Sequence, residues 1–217
     1  MELQSLFSVP LFKSRLDDPG FNAALAVFLL ALEHTRADEI RNPVPNMRIQ
    51  EHVFESDFRL FGMQNALIAR LAQYCTRSLW RAVYSVNQIS EQDFAKLDMK
   101  IDAWFHITRR TGYHALHNHP MASWSGVYCV DPGDSGLHNS DSGALAFVNP
   151  MAFANMFLDS TNSQLKEPYA MSGAAIRFAQ GDLVIFPSWL WHQAMTYLGQ
   201  TPRVTVAFNA WFQTRRA

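Results

Sequence analysis

The chain has 217 residues, 48% of them hydrophobic and 17% charged, with a formal net charge of −1. That composition excludes a disordered chain and is read most simply as one domain spanning residues 1–217. The near-zero charge gives no footing for nucleic acid or an anionic membrane, and the pairs Arg109-Arg110 and Arg215-Arg216 are too short for a basic stripe.

The opening MELQSLFSVPLFKSRLDD is mixed and turns acidic early, unlike a secretory signal. The longest apolar run, Ala23 to Leu32, is far short of the roughly 18 residues a membrane span requires. A cytoplasmic location is therefore expected. Cys75 and Cys129 lack metal-site or redox-motif spacing and are expected to be reduced, buried thiols.

Residues 1–95 read as a helical buttress. Asp18-Pro19 is a helix start, and Phe21, Ala24, Leu25, Phe28, Leu29 and Leu32 fall on one face. A second helix is expected after Ser56 or Asp57, with the stripe Leu60, Met63, Leu67, Leu71 and Tyr74. RNPVPNM between them reads as a loop. These helices either support the rest of the chain or pair two subunits into a homodimer.

From residue 96 the apolar period becomes two. In MKIDAWFHI, Met99, Ile101, Ala103, Phe105 and Ile107 alternate with Lys100, Asp102, Trp104 and His106, which predicts a strand with one apolar face. Trp104 and His106 either line a cavity or pack against a second sheet. WSGVYCV, ALAFV, LVIFP and VTVAFNAWF are further strands. The polar stretch from Asp131 to Gly143 is a candidate mouth or lid. Met151, Met156 and Phe157 form an apolar stretch that is core or lid. Helices followed by many short strands make the fold mainly β with N-terminal helices, a sandwich or barrel.

Three of the eight histidines crowd into HALHNHP, and His192 follows far downstream in FPSWLWHQAM. Residues i and i+2 of a strand share a face, so His117 and His119 present two imidazoles together if the segment is extended. His192, in a loop just past the strand LVIF, can supply a third, with Trp189 and Trp191 limiting solvent entry. Three imidazoles suit a first-row metal and leave positions open, and the alternative is hydrogen-bonded histidines at a strand edge. His114 and His138 read as exposed. Arg203 opens the last strand and shares a face with Thr205, Ala207, Asn209 and Trp211. An Arg with a hydroxyl two residues on forms a fork for a carboxylate, and the alternative is an edge Arg paired to a surface acid.

In this order the motifs resemble the iron(II)- and 2-oxoglutarate-dependent dioxygenase superfamily. More narrowly, HNHP (117–120), SGVYCV (125–130), GDLVIFPSWLWH (181–192) and RVTVAFN (203–209) resemble a small 2OG-Fe(II) oxygenase family, over roughly residues 98–213. The resemblance implies a double-stranded β-helix (a cupin-like jelly roll) as the catalytic core of residues 96–217. It implies Fe(II) held by His117, His119 and His192, with 2-oxoglutarate as co-substrate. Arg203 and Thr205 would meet the far carboxylate, and Tyr113 is a candidate for a further bond to the co-substrate. Molecular oxygen would be consumed, 2-oxoglutarate decarboxylated to succinate, and a small-molecule or peptide substrate hydroxylated.

Position 119 departs from the superfamily, where Asp or Glu is usual. Either His119 is itself a ligand, or it lies behind the ligands and Asp131, Asp134 or Asp141 supplies the third bond. Rival readings are a cupin-like three-histidine metalloenzyme without 2-oxoglutarate, a non-catalytic metal-binding barrel, and a structural protein whose histidines never meet.

Overall fold

A computed structural model describes residues 2, 3, 5–44, 52–134, 141–153 and 159–215. The expectations for His138, Met156, Phe157 and Arg216 fall outside them. The elements run β1 (Phe12–Arg15), α1 (Pro19–Ile40), β2 (Val53–Glu55), α2 (Ala66–Val86), α3 (Glu91–Phe94), β3 (Leu97–Thr108), β4 (His114–His117) and β5 (Trp124–Asp131). Then follow β6 (Leu145–Phe147), β7 (Ala174–Ile176), β8 (Asp182–Pro187), β9 (His192–Ala194) and β10 (Arg203–Thr214). The strands form a six-stranded sheet, β1-β8-β5-β10-β3-β2, and a four-stranded sheet, β4-β9-β6-β7. Every strand pair is antiparallel. The mainly β jelly roll with N-terminal helices is what the sequence leads one to expect.

Helix α1 starts where Asp18-Pro19 indicates, with the Asp18 carboxylate accepting from the Phe21 backbone N–H. It buries Phe21, Leu25, Leu29 and Leu32. Helix α2 begins later than expected. Val53–Glu55 pairs with β3 instead, and Leu60–Gly62 makes one 3-10 turn. Asn65 is the start signal that wins, because its side-chain oxygen accepts from both Leu67 and Ile68 N–H groups. Leu60 is still buried in the same core, but from the turn rather than from the helix.

The helices cover the outer face of the large sheet. Leu25, Leu29, Leu71 and Leu79 pack in one cluster with Ala103, Phe105 and Ile107 of β3 and Val204, Val206 and Phe208 of β10. Alternation then sends the intervening residues of both strands inward. A smaller cluster, including Leu145, Phe147, Val184 and Phe186, fills part of the space between the sheets. Gly126 is obligatory on β5, since a Cβ there would collide with the Phe208 ring.

A buried polar clasp fixes α1 to the sheet. The Tyr128 hydroxyl donates to Asn22 Oδ1 at 2.5 Å, and Asn22 Nδ2 donates to the Asp18 and Leu16 carbonyls at 3.0 and 3.3 Å. Tyr128→Phe would strand the amide oxygen of Asn22 in the core. We expect it to lower unfolding free energy by about 1–3 kcal/mol in a urea titration, with metal binding unchanged because Tyr128 faces the helices. An equal loss of stability and of metal binding would mean that the helical layer positions the cavity directly.

Candidate metal centre and anion pocket

The cavity between the sheets is built by register. On the large sheet, β10 faces β3 with Arg203 opposite Thr108, Thr205 opposite His106 and Ala207 opposite Trp104, and β2 adds Glu55 beside His106. Arg203, Thr205, His106, Trp104 and Glu55 all line the cavity. From the small sheet, β4 and β9 pair His117 with His192 and His114 with Ala194.

His117, His119 and His192 come together, each offering one ligand atom within 4.8 Å of the others. Their rings lie 4.4 Å (His117–His192), 5.0 Å (His117–His119) and 5.2 Å (His119–His192) apart between centroids. The route differs from simple alternation in two places. His192 belongs to a strand, β9, rather than a loop. His119 lies beyond the end of β4, held by its N–H on the Ser188 carbonyl at 2.9 Å and by the turn Ala122 N–H to His119 O at 3.0 Å.

Two of the rings are oriented by backbone. His117 Nδ1 lies 2.7 Å from the Ala115 carbonyl, and His192 Nδ1 lies 2.8 Å from the Leu190 carbonyl. A carbonyl only accepts, so each Nδ1 carries the proton and each Nε2 keeps a free lone pair. Burial pushes His192 down to about 3 and His119 down to about 4. It lowers His117 too, and adjacent imidazoles resist sharing further positive charge. Apolar walls contribute, since the Phe186 ring lies 4.8 Å from the His192 ring. The cluster is therefore neutral at neutral pH, the state a metal ligand requires.

Arg203 is 4% exposed, and among the described residues its guanidinium has no hydrogen bond and no carboxylate partner. Burial lowers its pKa. Phe178 lies 5.8 Å from the guanidinium carbon. Gly143, at φ +65°, leaves room for it: a Cβ there would stand 3.0 Å from Arg203 Cδ. The surface-paired alternative for this Arg is thereby overturned. Thr205 beside it is buried, with no hydrogen bond for its hydroxyl among the described residues, and the hydroxyl of Thr108 opposite Arg203 is buried and orphaned. Burying an unpaired charge costs several kcal/mol even after relaxation, on the order given for single buried ions. A pocket of this kind is suited to an anion.

Other expected residues fall elsewhere. Tyr113 is half-buried and outside the cavity lining; the next residue, His114, takes the inward place because β4 begins there. His114 is thus a correction, being 8% exposed rather than solvated, with its ring 4.2 Å from His106. Asp131 caps a turn at Gly133 N–H, Asp134 accepts from Tyr197 and Thr201, and Asp141 pairs with Arg177. None of the three lines the cavity, so none stands where a third ligand would. Trp189 and Trp191 are 50% and 47% exposed and lie outside the lining, so they do not shield the histidines.

Glu55 is the acid that lines the cavity, and sequence alone gave no sign of it. Asn42 Nδ2 donates to Oε1 at 2.6 Å and His106 Nε2 meets Oε2 at 2.9 Å. Burial raises the carboxyl's pKa, but these bonds outweigh it and the net shift is downward, which leaves a carboxylate. His106 Nε2 also lies 3.1 Å from the Trp104 indole N–H. One nitrogen cannot donate to Glu55 and accept from Trp104 at once; the carboxylate fixes it as a donor to Glu55.

Residues 102–209 match a family model described as "Putative 2OG-Fe(II) oxygenase". Among solved structures, a Pseudomonas putida prolyl-4-hydroxylase is similar at TM-score 0.61 and 13% identity, over 96% of this chain and 95% of that one. A Trichoplax adhaerens prolyl hydroxylase, in complex with a hypoxia-inducible-factor peptide fragment, gives 0.60 and 10%, over 93% and 83%. HygX from Streptomyces hygroscopicus, with nickel and 2-oxoglutarate bound, gives 0.57 and 12%, over 93% and 82%. At these identities the structures establish the fold. No curated protein matches the chain in sequence.

The pKa shifts set a pH dependence. An imidazole titrating near 6.5 in the unfolded chain and near 3 or 4 when folded binds its proton on unfolding. Stability from such groups is complete above about pH 6.5 and is lost as pH falls toward the folded values, by at most about 1.4 kcal/mol per pH unit per histidine. The metal-free protein should therefore melt at lower temperature at about pH 5 than at about pH 7.5. A level melting temperature across that window would show that the imidazoles are solvated and titrate normally.

Proposed function

Because the chain belongs, through residues 102–209, to the 2OG-Fe(II) oxygenase family, we propose that it hydroxylates a small-molecule or peptide substrate using Fe(II), 2-oxoglutarate and molecular oxygen. One observation carries the reading: a buried guanidinium with no acceptor among the described residues lines the same cavity as three neutral, converging imidazoles. His117, His119 and His192 would hold the iron, and Arg203 with Thr205 would hold the far carboxylate of 2-oxoglutarate. Iron held there would supply activation of molecular oxygen, which is the oxidant, and 2-oxoglutarate would supply two of the electrons on being decarboxylated to succinate.

The chain's own residues account for the rest. The backbone carbonyls of Ala115 and Leu190 keep Nε2 of His117 and His192 free for the ion. Phe147 and Phe186 keep water from the inner side of His192. Arg203 neutralises the carboxylate in a place where bulk water does not compete, which makes a charge-assisted fork stronger than at a surface. His114, also in the lining, has no hydrogen bond among the described residues and can donate to the same anion. The helices of residues 1–95 would serve as a buttress to the catalytic core at 96–217 within one domain, while the same segment adds β1 and β2 to the large sheet and Glu55 to the cavity wall.

The rival reading, a three-histidine metalloenzyme or metal-binding barrel without 2-oxoglutarate, draws on the missing carboxylate ligand. It gives Arg203 nothing to bind. Anaerobic addition of Fe(II) and then 2-oxoglutarate separates the two by the visible charge-transfer band of the chelate. We expect the band in the wild type, no iron uptake in His192→Ala, and retained iron in His119→Asp. In Arg203→Met we expect iron retained and 2-oxoglutarate weakened by roughly 10–100-fold, the loss of a charge-assisted bond. Iron uptake with no 2-oxoglutarate binding in the wild type would establish the rival instead.

A further inference from the structure

His119 differs from the other two histidines in what holds it. It has no carbonyl of its own chain segment at Nδ1. That nitrogen instead faces the side-chain amide of Asn209, at 3.3 Å. Asn209 in turn bonds Ser125 Oγ at 2.7 Å, and Ser125 Oγ lies 2.8 Å from Ser188 Oγ. The Ser188 carbonyl accepts the His119 backbone N–H at 2.9 Å, which closes a ring of contacts back on the same histidine. Ser125 and Ser188 are 2% and 0% exposed, so water does not replace the two serines. Asn209 and Ser125 face each other across the β10–β5 register, which fixes their separation.

The amide end that faces Nδ1 decides whether His119 can be a ligand. With Nδ2 toward the ring, Nδ1 accepts, the ring proton sits on Nε2, and the nitrogen on the side of the other imidazoles has no lone pair. A half-turn of the amide exchanges its two ends without changing its shape. Then His119 Nδ1–H donates to Asn209 Oδ1, Asn209 Nδ2 donates to Ser125 Oγ, and the Ser125 hydroxyl donates to Ser188 Oγ. The ring N–H, one amide N–H and the Ser125 hydroxyl then each have an acceptor, and Nε2 is free, as it is in His117 and His192.

We propose that Asn209 is the positioning residue for the third histidine: its amide oxygen holds His119 in the Nδ1–H form, with Nε2 turned to the metal. The inference rests on the three-histidine reading of the site. It assigns a purpose to an inward polar residue of β10 that neither the co-substrate fork nor the ligand set uses. It also gives a neutral site the orienting partner that metal-bound histidines generally have, here an amide where a carboxylate is common.

The test is a Co(II) titration followed by visible absorption, on wild type, Asn209→Leu and Asn209→Asp. Long-range ¹H–¹⁵N NMR of the metal-free proteins reads the His119 tautomer alongside. Leucine matches the amide in size but offers no acceptor; aspartate keeps the acceptor. We expect Asn209→Leu to bind Co(II) roughly 10–100-fold more weakly and to lose the Nδ1–H tautomer at His119. Asn209→Asp should bind at least as tightly as wild type, with the tautomer kept. Folded Asn209→Leu with wild-type affinity and tautomer overturns the inference, as does Asn209→Asp failing as badly as Asn209→Leu. Absence of Co(II) binding in the wild type overturns the metal reading itself, and this inference with it.

Discussion

The register between β10 and β3 is the constraint on which everything else rests. Val204, Val206 and Phe208 turn outward into the helical core, while Arg203, Thr205, Ala207 and Asn209 turn inward. Because the side-chain period of a strand is two, a slip of one residue would exchange the sets. Arg203 would then enter the apolar layer under α1 and α2, and three apolar side chains would fill the cavity. The outward residues therefore hold the inward ones in place. Helix packing, the Tyr128–Asn22 clasp and the close approach of Phe208 to Gly126 all act on that one alignment.

Much of this was legible in the sequence because it is written with that same period. The strand at 97–108, the switch from helix to sheet, the Asp18 cap and the inward face of β10 follow from alternation and capping alone. Gathering His117, His119 and His192 needed the family motifs as well, since nothing in spacing says that β4 and β9 pair. What stayed hidden is what depends on tertiary pairing. Val53–Glu55 is too short to declare itself a strand, so Glu55 carried no signal before β3 placed it beside His106. His114 read as a loop residue because the strand start at position 114 comes from pairing with Ala194, not from its neighbours. Asn209 was visible on the right face, but its partner at His119 lies 90 residues away in the chain.

The neutral third imidazole raises a question of charge that the cavity itself answers. In a site with two histidines and a carboxylate, Fe(II), the ligand carboxylate, the 2-oxoglutarate dianion and the binding Arg sum to zero. Replacing the carboxylate with His119 leaves that sum one unit positive, in a place where burial makes any net charge costly. Glu55 restores the balance. It is ionised, buried at 6% exposure, and set in the same cavity wall through His106 rather than at the metal. Its field reaches the imidazole cluster, since it favours the protonated forms of His117 and His119 against the effect of burial. The cavity's own side chains are balanced by the same pair, Arg203 against Glu55, and an iron–dicarboxylate unit of zero net charge leaves that balance unchanged. A site with three histidines is thus electrostatically consistent with an Arg-bound dicarboxylate, provided that the negative charge missing from position 119 is supplied elsewhere in the wall, and β2 is where this chain supplies it.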